Sequence, residues 1–240
     1  MISTKDNCVF VHVPKVAGQS IELFFVERMG LTWQQRSQLL LKPNSNPQFG
    51  PPRLAHLYAD EYVKYNYVTT EQFSDYFKFS FVRNPWERLV SEFTYRKALG
   101  HKQYQGTFKS FVLTQFPTPE RDDYENGIDH YRHIVPQSRF IYDSDGKCLV
   151  DFIGRFESLQ QDFTHVCQQL RVADTRLPHK NSTANLSRSG KWLNIVRSLC
   201  KPKQNKRHYS EYYCTDTKDF VTRYYQEDID RFGYIFEEKV

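Results

Sequence analysis

The apolar run at residues 8–13, CVFVHV, is interrupted only by His12 and predicts a strand buried on both faces. A tight loop, PKVAGQS, follows it, and then the apolar opening of a helix over about 19–29. The same order recurs at KFSFVR-NPWERLVSEF (78–93), which predicts a second strand and a helix with Pro85 in its first turn, where the missing N–H costs nothing. Between these pairs lie a Pro- and Asn-rich connector, KPNSNPQFGPPR (42–53), and two short helical segments near 60–65 and 70–76. Residues 108–116 predict a helix and FPTPERDDYENG (116–127) a polar loop. Strands are predicted at 139–142 and 149–155, separated by a turn at Asp145-Gly146. Helical spacing returns at 157–170 and near the C-terminus, where Phe220, Val221, Tyr224 and Tyr225 share one face. No internal repeat or low-complexity tract interrupts the series. Strands alternating with helices predict an α/β fold with a mostly parallel sheet and ligands at the C-terminal ends of its strands.

Composition narrows this to a single enzyme-sized domain spanning residues 1–240. The 16 Tyr and 19 Phe are expected mainly in the core, with a minority free to line a sugar-binding cleft. No window approaches the roughly 18 apolar residues of a membrane span. The five cysteines form no CxxC pair and are expected as free thiols. The formal charge of +5 is unevenly placed: residues 175–210 contain no Asp or Glu but hold Arg176, Lys180, Arg188, Lys191, Arg197, Lys201, Lys203, Lys206 and Arg207. Such a stretch is either a solvated basic loop or a closure over an acidic ligand. Nucleic acid is not the expected partner, because none of the helix-turn-helix, zinc-finger or RNA-sheet patterns is present.

The first loop carries the candidate chemistry. A helix N-terminus offers unpaired N–H groups and partial positive charge, so the run Lys15, Ala17, Gly18, Gln19 and Ser20 is suited to a phosphate. It is not a Walker A loop, because its lysine precedes its glycine. Arg83, at the end of the second strand, supplies a fork of donors for another phosphate, and Ser91 lies two helical turns on. Arg88 either assists there or pairs with Glu92 at the surface.

Taken together, PKVAGQS and RNPWERLVSEF resemble the two phosphate-binding motifs of sulfotransferases that use 3′-phosphoadenosine 5′-phosphosulfate, most closely the carbohydrate sulfotransferases of the Golgi type and their bacterial relatives. HIVPQSRFIY (133–142), VDFIGRFESLQQDF (150–163), LPHKNST (177–183) and YYQEDIDRFGYIF (224–236) resemble later segments of that family in the same order. Gln19 departs from the pattern, since relatives usually carry a small hydroxyl residue there.

The resemblance implies a three-layer P-loop-like fold. It also implies transfer of a sulfuryl group from 3′-phosphoadenosine 5′-phosphosulfate to a hydroxyl of a carbohydrate or glycoconjugate. Lys15 would serve the leaving phosphate, Arg83 and Ser91 the 3′-phosphate, Phe156 the adenine, and Lys180 the 3′-phosphate side of the donor. His56, in RLAHLYADEY, resembles the segment that supplies the catalytic base, with His133 the alternative base or a sugar ligand beside Gln137. His12, on the first strand beside Lys15, is read as packing or as a support behind the residues that meet the ligand. His130 and His133 have metal-ligand spacing, but no further ligand set accompanies them in sequence and the chemistry needs no metal, so none is expected. The resemblance also implies a bacterial-type cytoplasmic enzyme or a catalytic domain trimmed of its membrane anchor. The competing readings are a P-loop kinase or nucleotide hydrolase, and a non-catalytic anion-binding module.

Overall fold

The computed structural model describes residues 1–178 and 207–239. Lys180, most of LPHKNST, Cys200 and most of the basic stretch lie outside the described residues. Two compact units are present. The first comprises Met1–Arg83 and Pro117–Pro178, and the second Asn84–Phe116 with the described part of His179–Val240.

The first unit is built on a four-stranded sheet of β1 (Ile2–Ser3), β2 (Cys8–Val11), β3 (Phe77–Val82) and β4 (Phe152–Arg155), in that spatial order. β1 runs antiparallel to β2, while β2, β3 and β4 are parallel. Every residue of β2 is buried, as its unbroken apolar run requires. Helix α1 (Gly18–Arg28) returns from β2 and places Phe25 against Phe79, which stacks on Phe10 with ring centroids 5.1 Å apart. Phe24 meets Phe163 of the helix Leu159–Gln169 edge-on at 4.9 Å. The short helices Glu61–Lys64 and Thr70–Asp75 fall where the pattern predicted them.

The predicted strand at 139–142 is instead a helical turn, Ser138–Ile141. Pro136 and Gln137 open it, with Arg139 N–H donating to the Pro136 carbonyl and Phe140 N–H to that of Gln137. Phe140 and Ile141 are both buried, so these apolar neighbours share one side instead of alternating. The turn at Asp145-Gly146 is present, closed by Gly146 N–H on the Asp143 carbonyl. The strand predicted at 149–155 shortens to β4. The pattern also missed β1 and the helix His130–Ile134, both short.

In the second unit, Asn84 caps the helix Pro85–Ala98 by accepting from the N–H groups of Trp86 and Glu87, with Pro85 at the first helical position. Phe93, Tyr104, Phe108 and Phe111 pack together, and Trp86, Tyr209, Tyr213 and Phe236 form a second aromatic cluster. Arg88 and Glu92 are both buried, so neither lies at the surface, and the Arg88 guanidinium is 5.8 Å from the Tyr225 ring. The four described cysteines are free. No described helix is long and apolar enough to cross a membrane.

A β-carbon added to Gly154 on β4 would lie 2.5 Å from the Phe81 ring, a buried aromatic with little room to move. Gly154→Ala should therefore destabilise the protein by about 1–3 kcal/mol, the usual range for overpacking. The denaturant midpoint of the variant against the parent measures this.

Candidate active site

Parallel pairing aligns three strand ends: β2 runs into the loop containing Lys15, β3 into Arg83 and β4 into Phe156. The first loop is strained. Lys15 and Ala17 take left-handed backbone angles (φ 72° and 65°), a conformation that costs a residue with a side chain roughly 1–2 kcal/mol. Ala17 is the N-cap of α1, so the turn points the first N–H groups of the helix back across the loop. Ser20 is half-buried beside them and Gln19 is exposed.

Arg83 ties this loop to the rest of the sheet edge. Its Nη1 donates to the Lys15 carbonyl at 3.1 Å, and its guanidinium lies 3.9 Å from the centre of the Phe156 ring. Gln137 is fully buried, and its amide exchanges two bonds with the Arg83 backbone: Arg83 N–H donates to Oε1 at 2.9 Å and Nε2 donates to the Arg83 carbonyl at 2.8 Å. Gln137 thus braces Arg83, and an acceptor sugar would compete with that pairing. Ser91 belongs to the second unit, half-buried on the helix Pro85–Ala98.

Beside the loop is a cluster that the sequence reading only partly anticipated. His56, on the turn Leu54–His56, is buried between His12 (ring centroids 4.6 Å) and His133 (4.8 Å). Its Nδ1 lies 3.2 Å from the His12 carbonyl, which can only accept, so Nδ1 carries the proton and Nε2 keeps the lone pair. Each flanking histidine has a carboxylate: His12 Nδ1 meets Glu22 at 2.6 Å, and His133 Nε2 meets Asp129 at 3.4 Å. Arg53 approaches Asp129 at 3.7 Å. Arg132 donates to the His56 carbonyl at 2.9 Å and forks onto both oxygens of Glu61 at 2.7 and 2.9 Å.

These neighbours set the charge of the cluster. Burial pushes the His56 imidazole well below its usual pKa of 6.5, and the neighbouring imidazoles of His12 and His133 push the same way. Burial alone would raise Asp129, but His133, His56 and Arg53 together outweigh it and hold the carboxyl well below the usual range.

The sequence pair His130 and His133 is not the ligand set that forms. His56, Asp129 and His133 bring ligand atoms within 4.8 Å of one another from separate elements. That removes the argument that no further ligand accompanies His133, although the Arg53 guanidinium beside Asp129 opposes a second cation there. Glu22 and Asp129 were missed in sequence. Glu22 had a signal, a lone carboxylate in the apolar run IELFF, since a buried charge needs a partner; Asp129 had none.

Residues 1–235 match the profile of the sulfotransferase family, and the chain belongs to that family. It is similar to carbohydrate sulfotransferase 14 of Mus musculus, 26% identical over 191 residues, and to that of Homo sapiens, 26% identical over 188 residues. Each alignment covers 72% of this chain and 46% of the relative, so the chain spans about half the length of these enzymes. An uncharacterized protein of Archaeoglobus fulgidus is 28% identical over 109 residues, 45% of this chain and 79% of its own length. No solved structure matches the chain.

The depressed histidine and carboxylate make folding sensitive to acid. His56 takes up its proton more readily unfolded than folded, so its contribution to stability is complete above the unfolded value of 6.5 and declines as pH falls towards the folded value. Asp129 adds a second loss as pH falls below 3.8. Unfolding free energies measured from pH 7 downward should therefore fall, and His56→Asn should flatten the portion that begins near 6.5.

Proposed function

We propose that the protein transfers a sulfuryl group from 3′-phosphoadenosine 5′-phosphosulfate to a hydroxyl of a carbohydrate or glycoconjugate, with His56 as the base. The observation that carries this reading is the orientation of His56: buried next to the anion-binding loop, its Nδ1–H fixed on a carbonyl and its Nε2 left to accept a proton. The chain's family membership and its similarity to carbohydrate sulfotransferase 14 support the reaction and the acceptor class.

In the proposed step the acceptor oxygen forms a bond to sulfur as the bond between sulfur and the bridging phosphate oxygen breaks. The acceptor proton passes to His56 Nε2, and adenosine 3′,5′-bisphosphate leaves. Lys15 and the helix N–H groups of residues 18 and 19 oppose the charge that develops on the leaving oxygen, while the Ser20 N–H closes the turn on the Ala17 carbonyl. Arg83 holds the 3′-phosphate, with Ser91 and Lys180 assigned to the same side by the family resemblance alone. Phe156 has one ring face against Arg83 and offers the other to the adenine. His133 orders His56 and meets the acceptor. No metal is required, since the charges that the reaction needs are supplied by side chains and helix N–H groups. Residues 1–240 would form one domain of the three-layer P-loop-like kind.

Adenosine 3′,5′-bisphosphate should stabilise the protein without magnesium, by about 2.7 kcal/mol at a hundredfold excess over its dissociation constant. Equal thermal stabilisation by AMP would remove the dedicated 3′-phosphate site. With labelled sulfate and a panel of glycan acceptors, His56→Ala should lower turnover by roughly 10²–10⁴ while leaving bisphosphate affinity nearly unchanged. Near-parent turnover in that variant, with loss in His133→Ala, would move the base to His133.

A further inference from the structure

The reading above gives a role to the phosphate loop and to His56, but not to the side chain that lies between them. His12 follows β2 directly, and three contacts fix its ring. Glu22, buried on α1, takes its Nδ1 proton at 2.6 Å. Phe10 stacks on it at 5.3 Å with planes 16° apart. The His56 ring rests against it at 4.6 Å.

The fourth neighbour is the loop itself. A β-carbon built on Gly18 would fall 2.0 Å from His12 Nε2 and 2.1 Å from Cδ2, so the ring occupies the space that any other residue at 18 would fill. Gly18 has no left-handed backbone angle in this structure. What the position requires of glycine is room for His12. One ring therefore touches the first residue of α1 on one side and the base on the other.

We propose that the Glu22–His12 pair is a built-in spacer that sets the separation and orientation of the phosphate loop relative to His56, which makes His12 a positioning residue for the transfer. This rests on the sulfotransfer reading, because only a reaction joining a loop-bound donor to a hydroxyl activated by His56 makes their separation matter. In-line transfer tolerates little misplacement, and a shift of about 1 Å can lower the rate 10²-fold. Glu22 locks the ring from α1, the same helix that begins at the loop, so the helix N-terminus and the spacer move as one piece. A side chain that merely filled the core would have no reason to be polar, or to be paired with a buried carboxylate.

The groups facing His56 are His12 from β2, Asp129 and His133 from the helix His130–Ile134 and its cap, Arg132 on its carbonyl, and Arg53 from the turn before it. Removing the His12 side chain relieves one of the causes that depress His56 and leaves the others in place.

The test uses the full chain, with His12→Gln as the main variant and Glu22→Gln, which keeps the volume of the carboxylate, as the second. Turnover with a glycan acceptor, calorimetric binding of adenosine 3′,5′-bisphosphate, and the His56 ring signals in histidine-selective nitrogen NMR at one fixed pH are followed together. In His12→Gln, turnover should fall about 10²-fold, bisphosphate affinity should stay within about threefold of the parent, and the His56 ring signals should shift as the ring loses its packing partner. Glu22→Gln should lower turnover to an intermediate value.

Unchanged His56 signals and turnover within threefold of the parent would overturn the spacer. So would equal losses of turnover and bisphosphate affinity, which describe a residue that only holds the loop. If His12→Gln fails to fold, Glu22→Gln alone decides by the same comparison. Should the parent bind bisphosphate but transfer no sulfate, the sulfotransfer reading falls, and the NMR comparison still decides whether His12 orients His56.

Discussion

A buried histidine sits comfortably only if the charges around it are answered, and this constraint organises the packing around His56 in the first unit. An uncompensated buried charge costs several kcal/mol. Around His56 the charges are paired outward: His12 with Glu22, His133 with Asp129, Asp129 in turn with Arg53, and Arg132 with Glu61. His56 itself gives its Nδ1–H to the His12 carbonyl, with Asp129 near but already facing His133 and Arg53. Burial and the flanking imidazoles then favour its neutral form. The result is a buried imidazole whose Nδ1–H is bonded and whose Nε2 keeps its lone pair.

The same economy of position explains the strand ends. A parallel sheet delivers its loops to one edge, so Lys15, Arg83 and Phe156 arrive together without any of the three being adjacent in sequence. Left-handed angles at Lys15 and Ala17 would relax in a free peptide. Here Arg83, 68 positions on, holds the Lys15 carbonyl, and Gln137, a further 54 positions on, holds the Arg83 backbone, so the strain is locked in from a distance.

How much of this could be read from the chain alone follows from whether the cause is local. The strand, loop and helix at 8–28, the proline-opened helix after Arg83, and the short helices near 61 and 70 depend on neighbours within a few residues, and all were legible. The turn at 138–141 was not, because whether two adjacent apolar residues alternate or share a side is decided by what they pack against. Gly18 was legible as part of the loop, but not that His12 fills the space where its β-carbon would lie, a steric fact with no sequence signature. Asp129 and Glu22 acquire meaning only through histidines that the fold brings to them. His56 was legible through a segment resemblance, whereas the ring on either side of it was not.

The turn that carries His56 has only three residues and makes little structure of its own. Its position is imposed from a distance: Arg132, 76 residues away, donates to the His56 carbonyl while its fork is fixed on Glu61, whose carboxylate also accepts from Tyr58 N–H. The Arg132 guanidinium lies 3.9 Å over the Tyr58 ring, so the clamp is packed as well as bonded. His133 is the next residue on the same helix and presses its ring on His56 from the other side. One short helix therefore supplies both the restraint on the His56 backbone and the contact on its ring. Loosening the Arg132–Glu61 pair would displace His56 without touching it, which binds the stability of the first unit to the geometry of the histidine cluster.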